Sequence, residues 1–153
     1  NVEFIRQHMT VQIIGHDKIN QLRHVKYFKN IDVINAHMMK QAALIRPKFE
    51  IVEKMLTEEI AFRGIGSWVK PLGGYFIGFE AMDGCAKEIV RLCKEAGVTL
   101  TGAGSPFPYK KDPKDSVIRI APTYPSIEEL TEAAKVFVIV TRLVSVKNML
   151  YKK

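Results

Sequence analysis

From residue 67 to residue 144 the chain alternates between the two apolar patterns that distinguish strands from helices. Short runs rich in β-branched and aromatic residues predict strands at 67–70, 75–80, 98–101 and 117–121. Apolar residues spaced three or four apart predict helices that follow Asp83 and Ser126. The resulting order is strand, strand, helix, strand, strand, helix. It predicts an α+β fold, a two-layer sandwich of a small mixed sheet with helices on one face.

The predicted helices carry recognisable end signals. Ser126 and Glu129 are three residues apart directly before an apolar helical face, which is the spacing of a capping box. Asp83 is the candidate N-cap of the preceding helix, and Gly97 lies where a glycine ends a helix in the left-handed conformation.

The first third of the chain is predicted to be mostly helical. Residues 1–9 form one helix, residues 11–15 are extended, and Asp17 caps a second, short helix. A long helix runs from about Asn35 to Ile60 with Pro47 inside it. Because Pro47 lacks a backbone donor and clashes with the preceding turn, we expect a kink where the helix passes from one domain to another. Two helices meeting there would give the same pattern.

Charge and cysteine content restrict the functional classes. The net charge is +7, but the basic residues are spread over the whole chain among acidic neighbours, so a nucleic-acid partner is not expected. No apolar run reaches the roughly 18 residues that span a bilayer, so no membrane partner is expected. Cys85 and Cys93 are eight residues apart on a predicted helix, about 12 Å along its axis, too far for a disulfide. This favours a reducing compartment, the cytoplasm.

Metal binding is not expected either. The four histidines are His8, His16, His24 and His37, and none of them forms an i, i+4 pair with another or lies close in sequence to a cysteine.

Arg119 is the residue that most directly suggests chemistry. It interrupts an apolar strand, and alternation places Val117, Arg119 and Ala121 on one face of that strand. A guanidinium there must reach water or an anion, and arginine suits a carboxylate because it donates two parallel hydrogen bonds. An arginine on a solvent-facing sheet surface would give the same pattern.

Two glycine pairs invite a ligand interpretation. Gly73 and Gly74 follow Pro71 directly before a predicted strand, which allows a tight turn and close backbone approach to a ligand. A simple hairpin turn would need the same residues. Gly102 and Gly104 form a G-x-G loop, but no helix start follows them, so we interpret this segment as a loop alone.

Four segments together resemble one enzyme family. Residues 70–76, K-P-L-G-G-Y-F, resemble the P-x-G-G-x-F signature in the small domain of fold-type I aminotransferases, which depend on pyridoxal phosphate. Residues 118–122, I-R-I-A-P, resemble the strand whose arginine binds the substrate α-carboxylate, and residues 84–98 are similar to the helix and strand between them. Residues 14–24 are similar to a G-P-D-K-I-N-Q-L-R-H block of the aspartate-aminotransferase-like, MocR-type or alanine–glyoxylate-like subgroup, with His16 where proline is usual. The resemblance covers essentially all 153 residues.

The resemblance implies an organisation and a cofactor. Residues 1–46 would be the end of a large cofactor-binding domain with the first part of a linking helix, and residues 47–153 the small domain. The cofactor would be pyridoxal 5'-phosphate, held through a Schiff base to a lysine of the large domain. That lysine is not among the residues here, so we expect no catalytic residue and no activity in this polypeptide alone. The chain starts with N-V-E-F rather than Met, and we expect it to be a piece of a longer protein; a processed N-terminus would give the same start.

The resemblance also assigns roles to individual residues. Arg119 would bind the carboxylate of an amino acid or 2-oxo acid, and Gly73 and Gly74 would line the substrate side. In a homodimer, His16, Lys18 and Asn20 would contact the partner subunit's active site. Two alternatives stay open: a non-catalytic α/β module that binds nucleic acid or an anionic ligand through its basic surface, and a degenerate aminotransferase-like domain used for oligomerisation.

Overall fold

The architecture comes from a computed structural model, which describes residues 1–13 and 15–151. These residues form five α-helices and three strands, with single 3-10 turns at Ala61–Arg63 and Pro108–Lys110. The helices are α1 (Val2–Gln12), α2 (Lys18–Phe28), α3 (Ile31–Glu59), α4 (Ala86–Glu95) and α5 (Ile127–Tyr151). The strands are β1 (Gly66–Trp68), β2 (Ile77–Ala81) and β3 (Val117–Ile120). Two compact units divide the chain, one of residues Asn1–Ala42 and one from Ala43 onward, and the division falls within α3.

The first unit is helical and buries no side chain of α1 or α2. Helix α1 continues to Gln12, whereas an extended segment was predicted from residue 11; Ile13 is extended, and Ile14 lies outside the described residues. The predicted cap of α2 is confirmed, because the Asp17 carboxylate accepts a hydrogen bond from the backbone N–H of Asn20 at 2.9 Å.

Helix α3 is a single helix of 29 residues that contains Pro47. It begins earlier than the apolar pattern predicts, since the Asn30 side chain accepts a hydrogen bond from the backbone N–H of Val33 at 3.0 Å and so caps its first turn. Its C-terminal part belongs to the second unit, where Val52 and Leu56 are buried.

The second unit contains a three-stranded sheet in the order β1-β2-β3, and both pairings are antiparallel. The α+β class is confirmed, but the expectation of a mixed sheet is wrong for the described residues. The predicted strand at 98–101 is also not formed. Instead of joining the ladder through its backbone, this segment bonds to β3 through the hydroxyl of Thr101, which donates to the carbonyl oxygen of Arg119.

One face of the sheet packs on helices. Ile77 and Phe79 of β2 are fully buried, and Phe79 meets Phe137 of α5 edge to face with ring centroids 5.2 Å apart. Helix α4 adds Ile89 and Cys93 to the same core. The opposite face carries the exposed residues Gly78 and Glu80 of β2 and the half-buried Arg119 of β3.

Of the three helix-end signals predicted in the second unit, two are confirmed. Ser126 and Glu129 form a reciprocal capping box, with bonds of 2.9 and 3.2 Å between each backbone N–H and the other side chain. Gly97 has φ +88 after α4, and the next N–H, that of Val98, bonds back to the Cys93 carbonyl. The prediction of Asp83 as N-cap of α4 is wrong, because the helix starts at Ala86 and Cys85 occupies the N-cap position.

Helix α4 begins at Ala86, and its cap comes from a distant loop. The Asp115 carboxylate accepts a hydrogen bond from the Lys87 N–H at 3.1 Å. The first two backbone N–H groups of α4, those of Ala86 and Lys87, therefore both bond to Asp115, which lies far from them in the sequence.

Within residues 1–13 and 15–151, no helix combines the length and apolar character needed to cross a membrane.

Candidate functional site

Arg119 lies on the face of the sheet opposite the buried core residues of β2 and β3. In β3, Ile118 and Ile120 are buried in the core while Val117 and Arg119 are half-buried on the other side, which confirms the predicted alternation. Strand β3 is at the edge of the sheet, and Arg119 is paired with Gly78 of β2. A Cβ built on Gly78 would meet no atom within 4 Å, so the space beside the arginine is open on that side.

The Arg119 side chain stacks on an aromatic ring. Its guanidinium carbon lies 4.2 Å from the centre of the Phe76 ring. Its Nε is buried and has no hydrogen-bond partner within the described residues. Because an N–H withdrawn from water without an acceptor is costly, this donor fits an acceptor that comes from elsewhere. A carboxylate satisfies it best, since two oxygens can face two parallel guanidinium donors.

Other arginines of this unit are used differently. Arg91 bonds to Glu88 and Glu95, and Arg142 reaches the Glu59 carboxylate at 3.1 Å. Hydrogen bonding to Glu88 raises the pKa of Arg91 above its usual value. Burial lowers this pKa, but by a smaller amount. Arg119 has no such internal carboxylate in the described part of the chain, which distinguishes it from an ordinary surface ion pair.

Side chains hold the outer edge of β3 in place. The Asp112 carboxylate accepts hydrogen bonds from the N–H groups of Ser116 and Val117, at 2.9 and 2.8 Å, where β3 begins. Burial raises the pKa of Asp112, but these backbone bonds outweigh it and hold the pKa below its usual value. In the middle of the strand, Thr101 donates to the Arg119 carbonyl. The backbone of the edge strand is therefore fixed on the side that lacks a neighbouring strand.

The Gly73–Gly74 loop leads into the Phe76 position. Gly74 has φ +87, a left-handed conformation that disfavours any side chain, and Gly73 has open space around its Cβ position. At the start of the loop, Lys70 pairs with Glu53 at 3.2 Å. The glycines thus shape the turn before β2, and their contact with a ligand stays a prediction.

Phe76 is a site residue that sequence reasoning did not identify. Phe79 is fully buried, but Phe76 is 41% exposed and stacks on Arg119. The alternation of the strand could have indicated this role, because residues 76 and 78 lie on the same face. Since Gly78 pairs with Arg119, Phe76 is a diagonal neighbour of the arginine.

The loop interpretation of Gly102 and Gly104 agrees with the packing of this segment. Gly104 has φ +76, and a Cβ there would lie 2.4 Å from the carbonyl oxygen of Lys110. A close backbone approach therefore explains this glycine without any ligand.

The remaining candidates lie in the first unit. His16 precedes the Asp17 cap, Lys18 is the first residue of α2, and Asn20 follows in the same turn. All three are exposed. Their predicted role in contacts with a partner subunit stays a prediction.

Cysteine and metal chemistry have little support here. Burial raises the pKa of Cys93 to about 11, which keeps this thiol protonated at neutral pH. Among residues 1–13 and 15–151, no group of three or more His, Cys, Asp or Glu side chains is arranged to hold a metal ion.

Comparison with known proteins identifies relatives along the whole chain. The family model for aspartate amino-transferase matches residues 1–153. A protein of Mycolicibacterium smegmatis that carries an aminotransferase name is 43% identical over 133 residues, and an aspartate aminotransferase of Corynebacterium glutamicum is 41% identical over 133 residues. Each alignment covers 87% of this chain and 31% of the relative.

A solved structure gives the same result. The crystal structure of an aspartate transaminase from Corynebacterium glutamicum superposes with a TM-score of 0.87 and 37% identity, covering 97% of this chain and 35% of that one. The chain therefore spans about a third of the length of the relatives it matches.

Proposed function

The chain belongs to the aspartate amino-transferase family, and on that premise we propose that it is the C-terminal portion of a pyridoxal-phosphate-dependent aminotransferase. The complete protein would transfer an amino group between an amino acid and a 2-oxo acid. Support comes from the match over residues 1–153 and from relatives of which the aligned part is only 31%. Within the chain, we place the domain boundary at Pro47, with residues 1–46 ending the large domain and residues 47–153 forming the small one.

The contribution of this chain to the reaction is substrate binding through Arg119. The single observation that carries this proposal is the buried Nε of Arg119, which lacks an acceptor within the described residues while the guanidinium lies over the ring of Phe76. A substrate α-carboxylate would supply the acceptors. Fixing that carboxylate orients the rest of the amino acid, which converts binding into a defined geometry for the bond to be broken. Gly73 and Gly74 would line the substrate side of the same face.

Pyridoxal 5'-phosphate, when bound, supplies an electron sink for the electrons of the breaking bond. The donor offered by Arg119 fits a carboxylate of the substrate, and we assign no contact with the cofactor ring or phosphate to the described residues. The Schiff-base lysine would belong to the part of the protein that precedes this chain. The polypeptide alone would therefore be inactive.

Inactivity of the isolated polypeptide has a direct test. The polypeptide is mixed with pyridoxal phosphate, reduced with borohydride and mapped by mass spectrometry. We expect scattered, substoichiometric labelling of surface lysines. One equivalent trapped at a single lysine would contradict the proposal.

In the complete protein we propose a cytoplasmic homodimer in which His16, Lys18 and Asn20 contact the partner subunit's active site. Their exposure in α2 and before it is compatible with such a contact. Light scattering of the complete protein tests the dimer. Activity restored by mixing a His16→Ala, Lys18→Ala double variant with an Arg119→Lys variant would test contact across subunits, because only mixed dimers contain one intact site.

The substrate role of Arg119 is tested in the full-length protein with Arg119→Lys. We expect the KM for the amino acid to rise by roughly ten- to a hundredfold, because lysine cannot donate two parallel bonds to one carboxylate. The affinity for pyridoxal phosphate should stay unchanged. Arg91→Lys on the exposed face of α4 is the matched control and should leave both values unchanged. Equal loss of both affinities in Arg119→Lys would contradict the assignment.

A further inference from the structure

Lys48 lies on α3, one residue after Pro47, and its ammonium group binds two distant backbone carbonyls. Its Nζ donates to the carbonyl oxygen of Thr123 at 2.8 Å and to that of Pro125 at 2.5 Å. Both acceptors belong to residues 121–126, the connection between the end of β3 and the capping box of α5. One lysine therefore links α3 to the chain on both sides of Tyr124.

This connection has few other restraints of its own. Pro122 and Pro125 have no N–H to donate, so a backbone ladder cannot hold the segment. Pro122 is buried, but Tyr124 is 97% exposed and contributes almost no packing. The Lys48 bonds thus add two side-chain contacts to a stretch whose own backbone forms a turn at Pro122 and Thr123.

The Lys48 bonds hold a segment that lies close in sequence to Arg119, the proposed substrate-binding residue. Thr123 is only four residues beyond Arg119, and β3 has just four residues with a neighbouring strand on one side. Asp112 fixes the start of β3, Thr101 fixes its middle, and Lys48 fixes the chain as it leaves the strand. Of the three, only Lys48 comes from α3, the helix that leads into this unit from residue 31.

The chemistry of the contact also favours positioning over surface charge. A half-buried ammonium loses hydrogen bonds to water. In Lys48 these are replaced by bonds to two uncharged carbonyls rather than to a carboxylate. Charge-assisted bonds to carbonyls are directional and stronger than neutral ones, so they define the path of the segment.

We propose that Lys48 is a positioning residue for Arg119, which couples α3 to the strand that presents the substrate-binding guanidinium. This inference rests on the proposed function of Arg119. It makes Lys48 part of substrate recognition although its side chain bonds only to the protein backbone.

The test uses the full-length protein loaded with pyridoxal phosphate and the variants Lys48→Met and Lys48→Arg. Lys48→Met keeps the length of the side chain and removes the donors, so we expect the KM for the amino acid to rise about tenfold while kcat and cofactor affinity change by less than about twofold. Lys48→Arg retains donors for two carbonyls and should recover most of the loss. Lys54→Met is the matched control, since Lys54 lies on the same helix, its side chain is 73% exposed and it pairs with Glu58 one turn away.

A double-mutant cycle with Arg119→Lys separates positioning from general stability. If Lys48 acts through Arg119, Lys48→Met should add almost nothing to the KM of the Arg119→Lys protein, because the geometry it protects is already lost. Additive losses would overturn the inference. So would an unchanged KM in Lys48→Met, or a fall in kcat, cofactor affinity and melting temperature together that Lys48→Arg does not reverse.

The cycle also keeps the two proposals apart. If Arg119→Lys raises the KM and Lys48→Met does not, the role of Lys48 fails while the proposed function stands. If Arg119→Lys leaves amino-acid binding unchanged, the proposed function fails and this inference fails with it.

Discussion

The guanidinium carbon of Arg119 lies over the Phe76 ring, 4.2 Å from its centre, so the cation contacts the aromatic face. A stacked guanidinium keeps its N–H donors at its edge, in the plane that a carboxylate approaches. The stacking is worth about 0.5–2 kcal/mol depending on how far the pair is desolvated. Phe76 therefore both orients Arg119 and lowers the cost of withdrawing its charge from water.

Replacing Phe76 in the full-length protein should weaken substrate binding more than catalysis. We expect Phe76→Leu to raise the KM for the amino acid by roughly three- to tenfold, because the cation loses its aromatic face. Phe76→Trp should retain most of the affinity, since indole binds cations at least as well. Steady-state kinetics measures both. Tyr75→Leu, at the exposed neighbouring position, serves as the control, and an equal effect there would mean that the stacking is unimportant.

Local periodicity predicted the parts of the fold that local interactions determine. The face of Arg119 in β3 follows from a two-residue alternation, and the Ser126–Glu129 capping box is closed by residues three apart. The cap of α4 did not follow from its own sequence, because the carboxylate that satisfies it belongs to Asp115, 28 residues later than Lys87. The strand predicted at 98–101 failed for a related reason: its apolar pattern fits a strand, but its polar contact with β3 is made by the Thr101 side chain.

The candidate site likewise combines a feature visible in the local sequence with contacts that only the tertiary structure shows. A single sequence shows an arginine in an apolar strand, but only the register of β2 against β3 brings Phe76 beside it and places Gly78 opposite. The bonds from Lys48 to Thr123 and Pro125 cross 75 and 77 residues, and no local spacing predicts them. The proposed role of Arg119 was predicted from the family resemblance. The residues around Arg119 could be identified only from the tertiary structure.

Gly66 is predicted to be essential for packing in β1. A Cβ at this position would lie 2.4 Å from Cζ of Phe79, a fully buried ring that cannot withdraw. We expect Gly66→Ala to destabilise the protein by about 1–3 kcal/mol, as overpacking of a core does. Gly78→Ala on the adjacent strand is the matched control, since its Cβ would meet nothing within 4 Å. Thermal denaturation followed by circular dichroism should show a lower midpoint for Gly66→Ala only, and equal midpoints for the two variants would contradict the packing argument.

Cys93 should be inert in the folded protein. Burial raises its pKa to about 11, so the reactive thiolate is scarce at pH 8, and the buried sulfur is out of reach of reagents. Iodoacetamide labelling mapped by mass spectrometry should leave the Cys93 peptide unmodified in native protein and modify it fully in urea. Rapid labelling without denaturant would show that α4 opens locally.

Asp112 should stabilise the protein in a manner that depends on pH. Two backbone N–H groups, of Ser116 and Val117, point at one carboxylate oxygen, and that of Lys114 points at the other. An asparagine has one acceptor oxygen and cannot satisfy both sets. We therefore expect Asp112→Asn to lower the stability by about 1–3 kcal/mol at pH 7.

The sign of the pH effect follows from the lowered pKa of Asp112. A carboxyl whose folded pKa lies below its unfolded value of about 3.9 contributes its full stability above that pH, and the contribution is lost as the pH falls through the folded pKa. Urea denaturation midpoints of wild type and Asp112→Asn should thus differ most above about pH 5 and converge as the pH falls below the unfolded pKa. Asp32→Asn, at an exposed carboxylate in the first turn of α3, is the control and should show a much smaller difference at either pH. A gap between wild type and Asp112→Asn that stays constant over this range would mean that the charge of Asp112 does not hold the start of β3.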